Sequence, residues 1–273
     1  YDIKEEKREE AKEKGFFVYE TEEAMLADPD IDVVLIATPN DCHKPIAIRA
    51  MHAGKNVISE KPVTLSSADL LEMENAAKET GKLLTVHQNR RWDDDFLIIK
   101  KLVEEQKLGH VFRIESRVHG SRGIPGDWRK EKVHGGGMVL DWGVHLLDQI
   151  LYMYGDRKIE TVYASLTNVT NQEVDDGFTA ILTFEGGTEV LVEVGTNNYI
   201  SLPRWYVLGE DGTAVIRDWQ LNGEIIRKTG MTEETVVPVK TAAGLTKTMA
   251  PRREDTIVKE DLPKVSGDIA DFH

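Results

Sequence analysis

The feature that most constrains this chain is a repeated alternation of short β-branched segments with longer helical ones. Residues 31–37 (IDVVLIA) are apolar almost throughout, which is typical of a parallel strand buried on both faces. Helical sequences that close at Gly54 and Gly81 separate further strand-like segments at 56–59 and 83–86. Strand–helix–strand units at this spacing predict a parallel sheet wound by helices, with ligand sites at the carboxyl ends of its strands.

The pattern changes in the second part of the chain. Residues 94–107 and 139–154 have helical patterns, and strand-like segments fill residues 160–227. These strand-like segments are separated by three hairpin signals, Glu185-Gly186-Gly187, Glu210-Asp211-Gly212 and Asn222-Gly223. We therefore predict two domains: a Rossmann-type parallel-sheet domain at 1–91, and an α+β domain with a largely antiparallel open sheet at 92–273.

The two ends of the sequence resemble secondary-structure elements that are cut short. Tyr1-Asp2 resembles the end of a strand that has no preceding residues, and residues 267–273 (GDIADFH) resemble the first turn of a helix. We expect that the full protein continues beyond both ends.

Composition argues against several classes of partner. The 273 residues include 34 Lys and Arg against 48 Asp and Glu, and the formal net charge of −14 disfavours nucleic acid and anionic membranes. No apolar run reaches the roughly 18 residues that a membrane helix needs. Cys42 is the sole cysteine, so no internal disulfide can form. A reducing compartment fits this usage, and we expect a cytoplasmic protein.

Polar motifs follow two of the predicted strands. Residues 37–43 (ATPNDCH) form either a ligand-binding loop or simply a capped helix start, because Asn and Asp are common helix caps. Residues 59–62 (SEKP) end the next strand on a lysine. Partial desolvation of Lys61 would lower its pKa and suit it to proton chemistry, whereas a surface ion pair with Glu60 would contribute little.

A third motif is the glycine-rich stretch at 135–148 (GGGMVLDWGVHLLD). Its glycines permit close approach of the backbone to a ligand or to another element. Asp141 and His145 are four residues apart and share a helix face, so the carboxylate could orient the imidazole as a general base, or the pair could be purely structural. A metal site that adds Asp148 and His134 lacks the spacing of strong zinc motifs, and we expect none.

Taken in order, these motifs resemble the glucose–fructose oxidoreductase/inositol dehydrogenase (Gfo/Idh/MocA) family. The segments that carry the resemblance are ATPN with His43, AGKNVISEKP at 53–62, HQNRRWD at 87–93 and GGGMVLDWGVHLLD at 135–148. The resemblance implies a Rossmann domain, then an α/β domain whose sheet supports homodimers or homotetramers. It also implies NAD- or NADP-dependent oxidation or reduction of sugars, cyclitols and related polyols.

The resemblance also assigns roles to individual residues. Lys61 would contact the reacting hydroxyl, and Asp141 with His145 matches the family's D-x-x-x-H pattern, His145 being the proton acceptor. Asp2 would hold the adenosine ribose and favour NAD over NADP. The other implied cofactor neighbours are Thr38, Pro39, Asn40, His43, Glu60, Lys61, Pro62, Arg90, Arg91, Trp128 and Arg129. The expected substrate-lining residues are Lys61, His119, Arg122, Asp141, His145, Asn198 and Tyr199.

One departure from the family pattern is the lack of a G-x-G-x-x-G turn, which would lie about 20–30 residues before Asp2. A dinucleotide-binding sensor without turnover is the alternative function. Retention of Lys61, Asp141 and His145 together favours an enzyme, because a sensor has no need of proton-handling groups.

Overall fold

The computed structural model describes residues 1–230, 238–247 and 252–267. The chain divides into two compact units, of which the first contains residues 1–88 and 125–144. The second contains residues 89–124 and the described residues from 145 onward. The first division lies close to the boundary expected at residue 91, but segment 125–144, which we expected in the second domain, packs with the first. The helix start expected at 267–273 lies almost wholly outside the described residues.

The first unit is a three-stranded parallel sheet with helices between its strands. Its helices are α1 (Glu5–Glu13), α2 (Glu22–Ala27), α3 (His43–His52) and α4 (Ser67–Thr80). Its strands are β1 (Val33–Ile36), β2 (Asn56–Ser59) and β3 (Leu84–Val86), in the order β1-β2-β3. The Thr21 and Ser66 hydroxyls cap α2 and α4, and a left-handed Gly81 ends α4, as its place in the sequence predicts. This parallel sheet confirms the predicted Rossmann-type class.

Burial on β1 differs from the sequence-based prediction. Val34 and Ile36 lie in the core with residues of α2, α3 and α4, whereas Val33 and Leu35 are 48% and 59% exposed. The expectation of a strand buried on both faces is therefore wrong for the described residues. The reason is that the core cluster forms on one face of the sheet only, so that the alternate side chains meet solvent.

The second unit is built on an eight-stranded sheet. Its helices are α5 (Asp94–Glu104) and α6, which runs from Val144 to Tyr154 after a π-helical turn at Val139–Gly143. Its first strands are β4 (Val111–His119), β5 (Ile159–Thr167), β6 (Gly177–Phe184) and β7 (Glu189–Gly195). The later strands are β8 (Trp205–Gly209), β9 (Gly212–Ile216), β10 (Gly223–Lys228) and, beyond a separate hairpin of β11 (Pro238–Thr241) and β12 (Gly244–Lys247), β13 (Ile257–Glu260).

The strand order β13-β10-β9-β8-β4-β7-β6-β5 is antiparallel except for the β4–β7 pair. The predicted largely antiparallel sheet is thereby confirmed, and each of the three hairpin signals lies between two of its consecutive strands. Among the described residues, none of the helices combines the length and the apolar character needed to cross a bilayer.

A buried ion pair anchors α5 to this sheet. Asp95 lies in the first turn of α5 and is only 3% exposed. Its Oδ2 accepts hydrogen bonds from the guanidinium of Arg204 and from Trp205 Nε1 at 3.1 Å. The Arg204 guanidinium also lies 3.6 Å from the ring centroid of Trp219. Asp95 therefore belongs to the internal framework, and removing its charge would leave Arg204 buried without a counterion.

Candidate functional site

The first unit presents polar side chains where its parallel strands end. Thr38 lies two residues beyond β1 and is exposed, Glu60 and Lys61 follow β2 directly, and His87 follows β3. Parallel strands place their carboxyl ends at one edge of a sheet, which is where α/β proteins bind ligands. The motifs after β1 and β2 are thus gathered at one edge, as their positions in the sequence predict.

Lys61 is held by Asp141. Its Nζ donates to the backbone carbonyl of Asp141 at 2.8 Å and to Asp141 Oδ1 at 3.1 Å, and both side chains are about 15% exposed. Burial lowers the pKa of Lys61 below its ordinary value of 10.5, and the Asp141 carboxylate offsets part of that effect. An ammonium has three N–H donors, and the third has no acceptor among the described residues.

The glycine stretch is what allows segment 125–144 to reach the strand ends. A Cβ on Gly136 would lie 2.4 Å from the carbonyl oxygen of Arg129, so a residue with a side chain does not fit there. The Gly137 amide donates to that same oxygen at 3.0 Å. Asn40 Nδ2 donates to the Gly135 carbonyl at 2.9 Å, which joins the stretch to the loop after β1. The close approach is therefore between backbone segments of the protein itself.

Arg129 shares the carboxylate that holds Lys61. Its Nε lies 3.2 Å from Asp141 Oδ1, and its Nη1 donates to Asp127 Oδ2 at 2.7 Å. The guanidinium also lies 4.6 Å from the ring centroid of Trp128. Both expected cofactor neighbours on this turn, Trp128 and Arg129, thus lie in the first unit, and Arg129 contacts Asp141.

His43 and Asn40 support the motif loops from behind. The His43 imidazole is fully buried, with Nδ1 2.8 Å from the Pro62 carbonyl and Nε2 3.0 Å from the Thr38 carbonyl. It clamps the loop after β1 to the loop after β2, which leaves no ring nitrogen for a ligand. Asn40 is 4% exposed and its amide donates to Gly135, and α3 begins without the side-chain cap that Asn40 or Asp41 could have supplied.

His87 is a site residue that the sequence analysis did not single out. Its Nδ1 lies 2.8 Å from Glu60 Oε1, and Glu60 Oε2 accepts from the Lys61 amide at 3.3 Å. The pair joins the end of β3 to the end of β2. The sequence signal for His87 is its position directly after a predicted strand, which it shares with the polar motifs after β1 and β2.

Asp2 lies on the surface of the first unit. Its Oδ1 accepts a hydrogen bond from the Lys4 amide at 2.8 Å, and its backbone carbonyl accepts from Arg8 Nη1 at 2.7 Å. No hydrogen bond to Oδ2 is present within the described part of the chain, so one carboxylate oxygen is available to an external donor.

The expected residues of the second unit lie in several places. His145 is on α6 and is 4% exposed. Arg91 makes a bidentate ion pair with Asp148, at 2.8 and 2.6 Å, and stacks 4.5 Å from the ring centroid of Tyr152. Arg90 Nη1 donates to Asp93 Oδ2 at 3.0 Å. The two arginines are therefore engaged in the second unit's own framework.

Four of the expected substrate-lining residues, His119, Arg122, Asn198 and Tyr199, lie at the end of β4 or in the bonded loops that follow β4 and β7. The Asn198 amide donates to the Gly120 carbonyl at 2.7 Å, which joins the loops. His119 is 3.3 Å from Glu193 Oε1 with a nearly buried side chain, whereas Arg122 and Tyr199 are exposed. These positions form one patch, because the two strands run parallel and end together.

For the metal alternative, the structure places His134 3.1 Å from Asp41 Oδ1 and pairs Asp148 with Arg91. In the part of the chain that the structure describes, no group of three or more His, Cys, Asp or Glu side chains is arranged to hold a metal ion.

The donor chemistry at the ends of β1 and β2 fits the nicotinamide half of a dinucleotide. The exposed Thr38, the unused N–H of Lys61 and the Glu60 carboxylate supply donors and an acceptor on neighbouring strand ends. The G-x-G-x-x-G turn that would take the pyrophosphate is not among the 273 residues.

Comparison with known proteins supports this assignment for both parts of the chain. An oxidoreductase family with an NAD-binding Rossmann fold (GFO_IDH_MocA) matches residues 1–88, and the GFO/IDH/MocA C-terminal domain matches residues 96–215. The crystal structure of an NAD-binding protein from Listeria innocua is 52% identical. It superposes with a TM-score of 0.94 over 100% of this chain and 79% of its own.

Two curated relatives extend the comparison. The uncharacterized oxidoreductase YdgJ of Escherichia coli is 42% identical over 132 residues, which is 48% of this chain and 38% of YdgJ. The scyllo-inositol 2-dehydrogenase (NADP(+)) IolW of Bacillus subtilis is 32% identical over 199 residues, which is 72% of this chain and 55% of IolW. The matched regions thus span about half the length of these relatives or less. These similarities, together with the strand-end motifs, show that the chain belongs to the Gfo/Idh/MocA family of oxidoreductases.

Proposed function

We propose that the protein is an NAD(P)-dependent oxidoreductase acting on a C–OH group of a sugar, cyclitol or related polyol. The observation that carries the proposal is the Lys61 ammonium, which is half-buried, donates two hydrogen bonds to Asp141 and has one donor unused. Such a group is suited to stabilise negative charge that develops on a substrate oxygen. The name of the relative IolW supports the substrate class, since it is a scyllo-inositol dehydrogenase.

In the proposed mechanism the bound nicotinamide supplies the hydride chemistry, and the protein supplies positioning and proton handling. The free N–H of Lys61 donates to the substrate oxygen, and its hydrogen bond strengthens as the hydroxyl becomes an alkoxide. His145 takes the hydroxyl proton, in the role that the family resemblance implies. The His43 clamp and the His87–Glu60 pair keep the two loops rigid around Lys61.

The Lys61 environment predicts how the activity depends on pH. Lys61 donates only while protonated, and its pKa is lowered by burial from 10.5. We therefore expect kcat/KM for alcohol oxidation to fall on the alkaline side at a pH below that of an exposed lysine. The test is a pH profile of kcat/KM in the full-length protein, and an alkaline limb that begins only above the ordinary lysine value would contradict the proposal.

The cofactor preference rests on Asp2. Its carboxylate would accept from a ribose hydroxyl and repel a 2′-phosphate, so NAD is the proposed cofactor. Because the relative IolW is named as NADP-dependent, NAD and NADP need to be compared directly as cofactors of this protein. Substitution of Asp2→Ser should shift the NADP/NAD ratio of kcat/KM upward by about tenfold or more, corresponding to about 1.4 kcal/mol of repulsion. An unchanged ratio would show that Asp2 does not face the ribose.

The proposal is tested by following nicotinamide absorbance in the full-length protein with inositols, aldoses and sugar acids. Turnover of one polyol class with NAD or NADP supports the enzyme. Tight binding of a dinucleotide by calorimetry, with no turnover of any compound, would favour the sensor.

A homo-oligomer is also proposed, supported by the exposed edge strand β5. Val162, Tyr163 and Leu166 are each more than half exposed on this strand, and large apolar side chains on a sheet edge favour association. The cytoplasmic location stays a prediction from cysteine usage.

A further inference from the structure

The carboxylate of Asp141 serves two cations in the first unit. Its Oδ1 is 3.1 Å from Lys61 Nζ and 3.2 Å from Arg129 Nε. Both contacts converge on one oxygen, so the position of Arg129 determines how the carboxylate is presented to Lys61.

Arg129 is itself fixed on several sides. Its Nη1 is bonded to Asp127 Oδ2, its guanidinium stacks beside Trp128, and its carbonyl accepts the Gly137 amide. Asp127 Oδ1 also accepts from the Arg129 amide at 2.9 Å and so caps the turn from which the side chain extends. These contacts restrict the Arg129 guanidinium to a position from which its Nε reaches Asp141 Oδ1.

We propose that Arg129 is a positioning residue, which holds the Asp141 carboxylate so that Lys61 keeps one N–H for the substrate oxygen. The inference rests on the proposed function of Lys61 and adds a role for Arg129 beyond that of a cofactor neighbour. Arg129 is itself paired with Asp127, so it adds no net charge to the group, and its effect on Lys61 comes from where it holds the Asp141 carboxylate.

The charged groups around Lys61 in this unit are Asp141, Arg129 and Glu60, and Asp127 faces Arg129. The positive charge of Arg129 opposes protonation of Lys61, while the two carboxylates favour it. Removal of the Arg129 charge should therefore make Lys61 easier to protonate and draw it more tightly onto Asp141. Lys61 Nζ and Arg129 Nε lie 3.1 and 3.2 Å from the same oxygen, which limits their separation to about 6 Å. At that limit, Coulomb's law with effective dielectric constants of about 20 to 80 gives a shift of about 0.5 to 2 pH units.

The test is the pH midpoint of Lys61 reactivity, measured by competitive acetylation and mass spectrometry in the full-length protein. R129M should raise the midpoint by about 0.5 to 2 pH units, and R129K, which keeps the charge, should stay closer to wild type. R49M is the matched control, because Arg49 pairs with Glu22 on the surface of the same unit, and its Lys61 midpoint should not change. A wild-type midpoint in R129M would overturn the inference.

Steady-state kinetics provide the second readout. R129M should lower kcat by about tenfold or more, with R129K recovering part of the loss, because the Lys61 donor is misplaced in the transition state. A weaker dinucleotide affinity with an unchanged Lys61 midpoint would mean that Arg129 only contacts the cofactor, and would refute the positioning role. If the wild-type protein turns over no polyol but R129M shifts the midpoint, the coupling stands and only the proposed reaction fails.

Discussion

Substitution of Gly136→Ala tests whether the glycine stretch really builds the site. The added Cβ would lie 2.4 Å from the Arg129 carbonyl oxygen, 2.7 Å from its carbon and 2.9 Å from the Glu131 carbonyl oxygen. All three are backbone atoms, so no side-chain rotation can relieve the contact. The backbone at Arg129 must instead move by about 1 Å. Overpacking of this kind costs about 1–3 kcal/mol, and the Gly136 and Gly137 amide hydrogen bonds at 3.0 Å would weaken as well.

We expect G136A to destabilise the first unit locally by about 2–4 kcal/mol, measured by hydrogen exchange of the Gly137 amide. Its exchange should accelerate by about 30-fold or more, and kcat/KM should fall because Arg129 is displaced from Asp141. The matched control is G126A, since a Cβ there meets nothing within 4 Å. Gly137 exchange in G136A as slow as in G126A would refute the packing argument.

Three further substitutions test the second unit. D95N should lower the free energy of unfolding in urea by about 3–5 kcal/mol, because it leaves Arg204 without a counterion. R217Q, at the exposed pair with Glu224, should lower it by less than about 1 kcal/mol, and equal effects of the two variants would refute the buried-pair reasoning. The hydrogen bond to His119 and the contact with Arg117 lower the pKa of Glu193 below its ordinary value of 4.5, although burial alone would raise it. The Glu193 carboxylate therefore stabilises the fold above pH 4.5, and this contribution is lost as the pH falls. E193Q should therefore be less stable than wild type at neutral pH and approach it in acid, and a difference that grows in acid would contradict this sign. L166D on β5 should reduce self-association in sedimentation analysis, whereas L83D, at a leucine of the first unit that is also more than half exposed, should not. Dissociation by both or neither would reject the β5 interface.

Local signals predicted much of the fold. Caps at Thr21 and Ser66, the glycine after α4 and the hairpin glycines act on a few neighbouring residues, so their effect can be inferred without the tertiary structure. The one-sided burial of β1 could not be inferred this way, because an apolar strand has the same sequence whether one or both faces are covered.

The candidate site, like the fold, could be predicted only in part. Lys61 and Asp141 were identified by their motifs, and the structure brings them together across 80 positions of chain. The support beneath them was not predicted. His43 became a clamp and Asn40 a link to Gly135 because each side chain faces inward, and side-chain direction depends on packing that a single sequence does not display.

The central claim is that Lys61 stabilises a developing alkoxide, and its most direct test is kcat/KM of the K61M variant of the full-length protein. K44M is the matched control, because Lys44 is also half-buried and bonded to two carboxylates, Asp69 and Glu72, but lies on α3. With the polyol found to be turned over, K61M should lose about 100- to 1,000-fold in kcat/KM while K44M stays near wild type. Wild-type kcat/KM in K61M would contradict the account.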